Sequence, residues 1–269
     1  MLSEALSNLS TLDSHARLSL FHELVLSLEK TPSLIANVRL KITESLRDAS
    51  LFKLGIGALA TLATEDAQAA LLEIYREESL NLTQKQMILA SLTTADGALS
   101  GDTQAFLKGI ALDPNAPAGT AESAAFAIGS SLQKETNPVL RADLERTLVS
   151  LLADAKTPGD QAQVLDAIGN SGDLALLPAI RDFLGSVDVT LQSKAVFALR
   201  WMPAGEVAPL LVPALSDAKA PVRVSAIQAI SHLKERGADL DLYANAIEAC
   251  SNQDPDENLR TRCKALLAP

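Results

Sequence analysis

Aromatic residues make up only 3% of the 269-residue chain, and cysteine occurs twice, at Cys250 and Cys263. With so few aromatics any core must be aliphatic. Ala and Leu recur throughout, as in close-packed helices, whereas sheets draw on β-branched and aromatic residues. Two cysteines exclude a disulfide framework. His15, His22 and His232 are the only histidines and lie far apart. His22-Glu23 is a lone pair, and no cysteine or histidine stands near enough to complete a zinc or iron site, so no metal or other cofactor is expected. No apolar run approaches the roughly 18–20 residues of a membrane span. The opening MLSEALSNLSTLDSHARL puts Glu4 and Asp13 where a secretory signal would be basic and then apolar, so no signal peptide is expected. The chain reads as soluble, with its compartment open; as a piece of a longer precursor it would suit a secreted or periplasmic setting. Positive charge is also short, with 23 Lys and Arg against 33 Asp and Glu, for a net charge of −10. That balance argues against nucleic acid, which demands a basic face, and favours basic protein partners by long-range steering.

What the chain has in quantity is helical periodicity. Hydrophobic residues are 48% of the total, enough for a large core. Apolar positions recur at helical spacing in almost every segment, and no alternating strand is evident. The pattern predicts helices near 14–29, 33–48, 51–63, 66–78, 84–95, 101–112, 118–132, 138–153, 158–169, 174–184, 189–201, 206–215, 220–235, 239–250 and 256–267. Thr83, Thr157-Pro158 and Asp173 read as start signals, and Asn170-Ser171-Gly172, Gly185 and Gly237 as stops.

A repeat is clearest in the second half. LDAIGNSG from Leu165, VFALRWMP from Val196 and IQAISHLK from Ile227 begin 31 residues apart. In this frame Pro178 falls on Pro209, each expected inside the first helix of a hairpin, where proline bends the helix. Arg223 follows Asp217 by six residues, and Arg260 follows Asp254 by six. This spacing resembles the HEAT repeat, in which an Asp in the turn and an Arg in the second helix form a ladder along the stack. Ser186 and Gln192 hold the equivalent places one repeat earlier, so the charged ladder is expected to break there and a neutral pairing to replace it. AFAIGSSL around Ala127-Ile128-Gly129 echoes Ala167-Ile168-Gly169 forty residues earlier, and before it only helix-pair periodicity survives. The expectation is an all-α fold: one α-solenoid of about seven HEAT-like hairpins over 1–269, diverged over about 1–115 and regular over about 118–269.

Residues 68–230 carry a narrower resemblance. Ala167-Ile168-Gly169-Asn170-Ser171-Gly172, a proline-containing helix, and Ala195-Val196-Phe197-Ala198-Leu199-Arg200 are similar to the α-helical region of large lipid transfer proteins, the vitellogenin, apolipoprotein B and microsomal-transfer-protein family. The resemblance implies the fold and at most a docking or lipid-associated module, since in that family lipid is held mainly by β-sheets.

Catalytic signals are thin. Gly55-Ile56-Gly57 follows no strand, Glu77-Glu78 reads as a solvated helix end, and no Walker or serine-elbow sequence occurs. Cys250, near the end of one helix, and Cys263, about seven residues into the next, come out on the order of 7 Å apart along the hairpin axis alone, before any lateral separation. Both fall on apolar stripes, which favours reduced core cysteines over a disulfide. Trp201, the single tryptophan, reads as packing on the next hairpin or as a contact anchor beside Arg200. The expected activity is therefore a non-enzymatic protein-binding scaffold, with Trp201, Arg200, Gln192, Arg223 and Arg260 as candidate surface residues. Asp217, Arg223, Asp254 and Arg260 form the structural ladder. A lipid-associated module is the alternative. A HEAT-scaffold enzyme such as a bilin lyase rests on analogy alone.

Overall fold

Local signals fix where each helix begins. In the computed structural model, which describes residues 13–95, 97–117 and 119–267, the side chain of Asp13 accepts from Ala16 N, that of Asp48 from Ser50 N and Leu51 N, and that of Ser100 from Thr103 N. Each cap satisfies donors that a helix start leaves orphaned, worth about 1 kcal/mol apiece. Thr157 and Asp160 form a reciprocal capping box behind the expected Pro158 start. Residues 1–12, including Glu4, lie outside the described residues.

Helices α1 (Ser14–Lys30), α2 (Leu34–Glu44), α3 (Ala49–Leu62), α4 (Glu65–Tyr75), α5 (Leu82–Thr93), α6 (Gly101–Ala111) and α7 (Thr120–Leu132) come first. Then follow α8 (Pro138–Asp154), α9 (Pro158–Ser171), α10 (Leu177–Leu184), α11 (Val189–Ala198), α12 (Ala204–Ala214), α13 (Ala220–Glu235), α14 (Ala244–Gln253) and α15 (Glu257–Leu267). Among the described residues there is no strand, and every expected helix is present. The fold is an all-α helical repeat.

Contacts divide the chain into two compact units, Met1–Leu140 and Arg141–Pro269. Within the first, α1, α3, α5 and α7 pack in succession, as do α2, α4 and α6. Its core is aliphatic, with Leu28, Leu59, Leu71, Ile88 and Leu107 fully buried. Within the second, α9, α11, α13 and α15 pack in succession, and α10, α12 and α14 each pack on the odd-numbered helix that follows.

A close helix approach in the second unit depends on glycine. A Cβ at Gly169 would lie 2.8 Å from Ala198 Cα, so α9 and α11 pack backbone to backbone there. Gly172 ends α9 with φ 61°, and a Cβ on it would meet Trp201 O at 2.7 Å. The six-residue motif is therefore a helix stop and a helix–helix contact at once.

Three local expectations change. The cap of α5 is Asn81, boxed with Gln84, two residues before Thr83; Gln84 also reaches across to Leu46 O at 2.8 Å. Pro178 lies in the first turn of α10, after a 3-10 turn at Leu174–Leu176, and only the Pro209 position is inside a helix. A first-turn proline loses no hydrogen bond, so no bend is needed.

The third correction concerns the cysteines. Cys250 and Cys263 are joined by a disulfide, with Cα atoms 6.0 Å apart. Helix α14 runs on to Gln253 and α15 starts at Glu257, so Cys250 sits three residues before one end and Cys263 six beyond the other start. The axial offset falls to about 4–5 Å, and these two helices pack closely enough to bridge the remainder. The sequence-based estimate placed the end of α14 too early.

Candidate functional site

The second unit holds the residues singled out by the repeat. Arg223 Nε and Nη2 donate to the two carboxylate oxygens of Asp254 at 2.7 and 3.1 Å, and Nη1 donates to Asp217 O at 2.9 Å. Arg260 Nη1 donates to Asp254 O at 2.6 Å. Each arginine thus closes its own turn, and Arg223 also reaches the next. At the expected break the ladder is whole. Gln192 Nε2 donates to Asp217 Oδ2 at 2.9 Å, while Lys219 Nζ donates to Gln192 Oε1 and to Ser186 O. An amide, supported by a lysine, makes the rung that an arginine makes one repeat later.

The same device recurs at turns that lack the charged Asp–Arg pair. Gln68 Nε2 donates to Ala63 O and Ala98 O, and its Oε1 accepts from Ser100 N. Gln104 Nε2 donates to Leu99 O and to the carboxylate of Glu135, and Gln161 Nε2 donates to Ala155 O. A glutamine five or six residues past a turn carbonyl was the available signal.

Those bonds take most of the expected binding residues out of the surface. Arg200, Gln192 and Arg223 are buried, at 6%, 8% and 6% exposure, because their polar heads are used within the stack. Trp201 and Arg260 remain half-buried. What the structure assembles instead is a cluster at the C-terminal ends of α9, α11 and α13. Arg200 lies over the Phe197 ring at 4.2 Å and donates to Asn170 Oδ1 and Phe197 O. His232 lies 5.8 Å from Phe197 and 5.7 Å from Trp201, ring to ring. Arg236 stacks over Trp201 at 4.9 Å and donates to Trp201 O. Lys194 pairs with Asp166 beside it. Burial, partly offset by the charge of Asp166, pushes the Arg200 guanidinium down to about 10, so it stays cationic at neutral pH. Phe197, Trp201 and His232 are all half-exposed, and Arg236 is exposed. On the α15 side of α13, a groove of about 360 Å³ runs between Gln228, Ser231, Lys234 and Glu235 and the Arg262 and Leu266 side chains of α15.

The other motifs stay structural. Gly55 is buried within α3 against Ile42, and His22 is exposed beside Phe21. Tyr243, whose hydroxyl donates to Ala204 O, is pushed by burial up to about 12. Among the described residues no three His, Cys, Asp or Glu side chains come together as metal ligands would.

The sequence matches no protein-family model and no curated protein. Solved structures do match. Lipovitellin, in a structure of its lipid–protein interactions, is similar at a TM-score of 0.63 and 17% identity, over 99% of this chain and 32% of that one. This chain therefore spans about a third of lipovitellin's length. Human deoxyhypusine hydroxylase in complex with glycerol has a TM-score of 0.37 at 18% identity, over 99% and 94% of the two chains. The complex of CpcE and CpcF of phycocyanin lyase from Nostoc sp. PCC7120 has a TM-score of 0.48 at 16% identity, over 86% and 92%. At such identities the likeness to lipovitellin concerns the helical fold alone, and the two weaker ones carry no argument.

Proposed function

We propose that the chain is a non-enzymatic scaffold whose second unit binds a protein partner through the face where Phe197, Trp201, His232 and Arg236 meet. The observation that carries this reading is the half-exposed aromatic–cation cluster on closely packed helices. Aromatic and arginine side chains dominate binding hot spots, and a frame locked by Gly169 and the ladder keeps them preorganised. Arg200 and Tyr243 owe their shifts to burial inside the stack, and Asp254 is lowered by its pairing there. A lipid-associated role would call for a continuous apolar face. The exposed large apolar side chains are scattered along the chain, among them Leu18 and Leu26 on α1, Leu40 on α2, Val149 on α8 and the neighbours Val187 and Val189.

Pull-down mass spectrometry with the full chain as bait, followed by calorimetry with the purified partner, tests the reading. Trp201→Ala should weaken that partner by roughly 30-fold or more, the loss expected of a hot spot. An unchanged affinity would remove this face as the site. Turnover of a small molecule by the purified chain would remove the non-enzymatic reading.

A further inference from the structure

The chain as a whole is acidic, at −10, yet the proposed face is not. Among the described residues its cluster and adjoining groove contain Lys194, Arg200, Arg236 and Arg262 against the carboxylates of Asp166 and Glu235, while Lys234 donates to Leu266 O. Asp166 is already paired with Lys194, and Glu235 lies 3.4 Å from His232. Arg200 is the unusual member: a buried guanidinium whose hydrogen-bond partners are an amide oxygen and a backbone carbonyl. Among the described residues no carboxylate forms an ion pair with it. The charge of Asp166 offsets the burial of this cation only in part, and a partner's carboxylate over the cluster would add to that compensation. Arg236 uses one of its five N–H donors on Trp201 O. Guanidinium groups take carboxylates in paired hydrogen bonds, and the rings of Phe197 and Trp201 supply apolar contact beside them.

We infer that this face recognises an acidic segment of a protein partner, one in which Asp or Glu alternates with apolar side chains. The carboxylates meet Arg236 and Arg262 above the buried charge of Arg200, and the apolar side chains lie on Phe197, Trp201 and the groove between α13 and α15. The basic partner suggested by net charge is thus replaced locally by an acidic one. The inference rests on the scaffold reading and specifies the chemistry of its partner.

Fluorescence anisotropy on the full chain tests it, using a labelled peptide that alternates Glu with Leu and Phe and its counterpart carrying Gln for every Glu. The Glu peptide should bind about tenfold more tightly than the Gln peptide. Arg236→Glu should cost about another tenfold, Arg236→Lys a smaller loss because it keeps the charge but not the paired bonds, and Arg47→Glu should change nothing. Arg47 is exposed in the first unit, so it alters net charge equally while leaving the face intact. Equal binding of the two peptides, no binding of either, or equal losses in Arg236→Glu and Arg47→Glu would each overturn the inference. If the peptides fail while a purified natural partner still depends on Trp201, the scaffold stands and the acidic segment alone is lost.

Discussion

Glu145, half-buried, and Asp254, buried, are carboxylates held by arginine, and folding acts on them with opposite sign. Burial alone would raise Asp254, but its bonds to Arg223, the Asp256 N–H and the charges of Arg223 and Arg260 together hold it below the usual carboxylate range. Its contribution to stability is complete above about pH 5 and disappears as pH falls through the depressed value. Glu145 is pushed up, first by burial and then by the neighbouring Asp173 carboxylate, with Arg141 between them only partly compensating. Its ionisation therefore opposes folding at neutral pH, and this penalty vanishes as pH falls below about 4. Urea titrations over a pH series should separate the two. Asp254→Asn leaves Arg223 buried and unpaired and should cost about 3–5 kcal/mol at pH 7, flattening the acid limb. Glu145→Gln should raise the urea midpoint at pH 7, with an advantage that fades on acidification.

At the scale of helices and turns, periodicity made the number and order of elements legible, because the helices carry apolar stripes and several, such as those begun by Asp48, Asn81, Ser100 and Thr157, carry a side-chain cap. The glutamine rungs were not legible. Gln is common on helix surfaces, and Gln68, Gln104 and Gln161 use backbone carbonyls whose position only the folded turn defines. The disulfide was missed for a similar reason, since a few residues of error at the end of α14 decide whether the Cα atoms come within reach. Replacing Cys250 and Cys263 together by Ser should cost about 3 kcal/mol for a loop of this size. Hydrogen exchange should place the loss in α14 and α15, and an unchanged pattern there would count against a structural bond. Such a bond is consistent with an oxidising compartment. Gly169→Ala should cost about 1–3 kcal/mol by forcing α9 from α11. A thermal melt equal to that of the parent would show that these helices can yield.

For the whole molecule, two charge scales coexist: a net −10 that acts at long range, and a cationic patch that acts at contact. An acidic peptide should therefore be repelled before it is captured. Stopped-flow measurements should show the association rate constant rising as salt screens the long-range field, over a Debye length of roughly 8 Å at physiological ionic strength. A rate constant that falls with salt would mean the patch dominates at distance. The sequence hid one further large-scale feature. In the first unit the rung donors stand on α4 and α6; in the second they stand on α9, α11, α13 and α15, with Arg141 on α8 bonded to Asp173. The hairpin frame shifts by one helix, so the 31-residue register could not be followed backwards.

The rung between Gln192 and Asp217 makes neighbouring hairpins of the second unit interchangeable parts. Excising residues 192–222 would join Leu191 to Arg223 and set Arg223 six residues after Ser186, in the place that Gln192 now holds. Its guanidinium would keep Asp254 in the following turn, and the shortened array would close on a charged rung. A cut that crossed α8 would splice two different frames, so such surgery works only within one run of rungs.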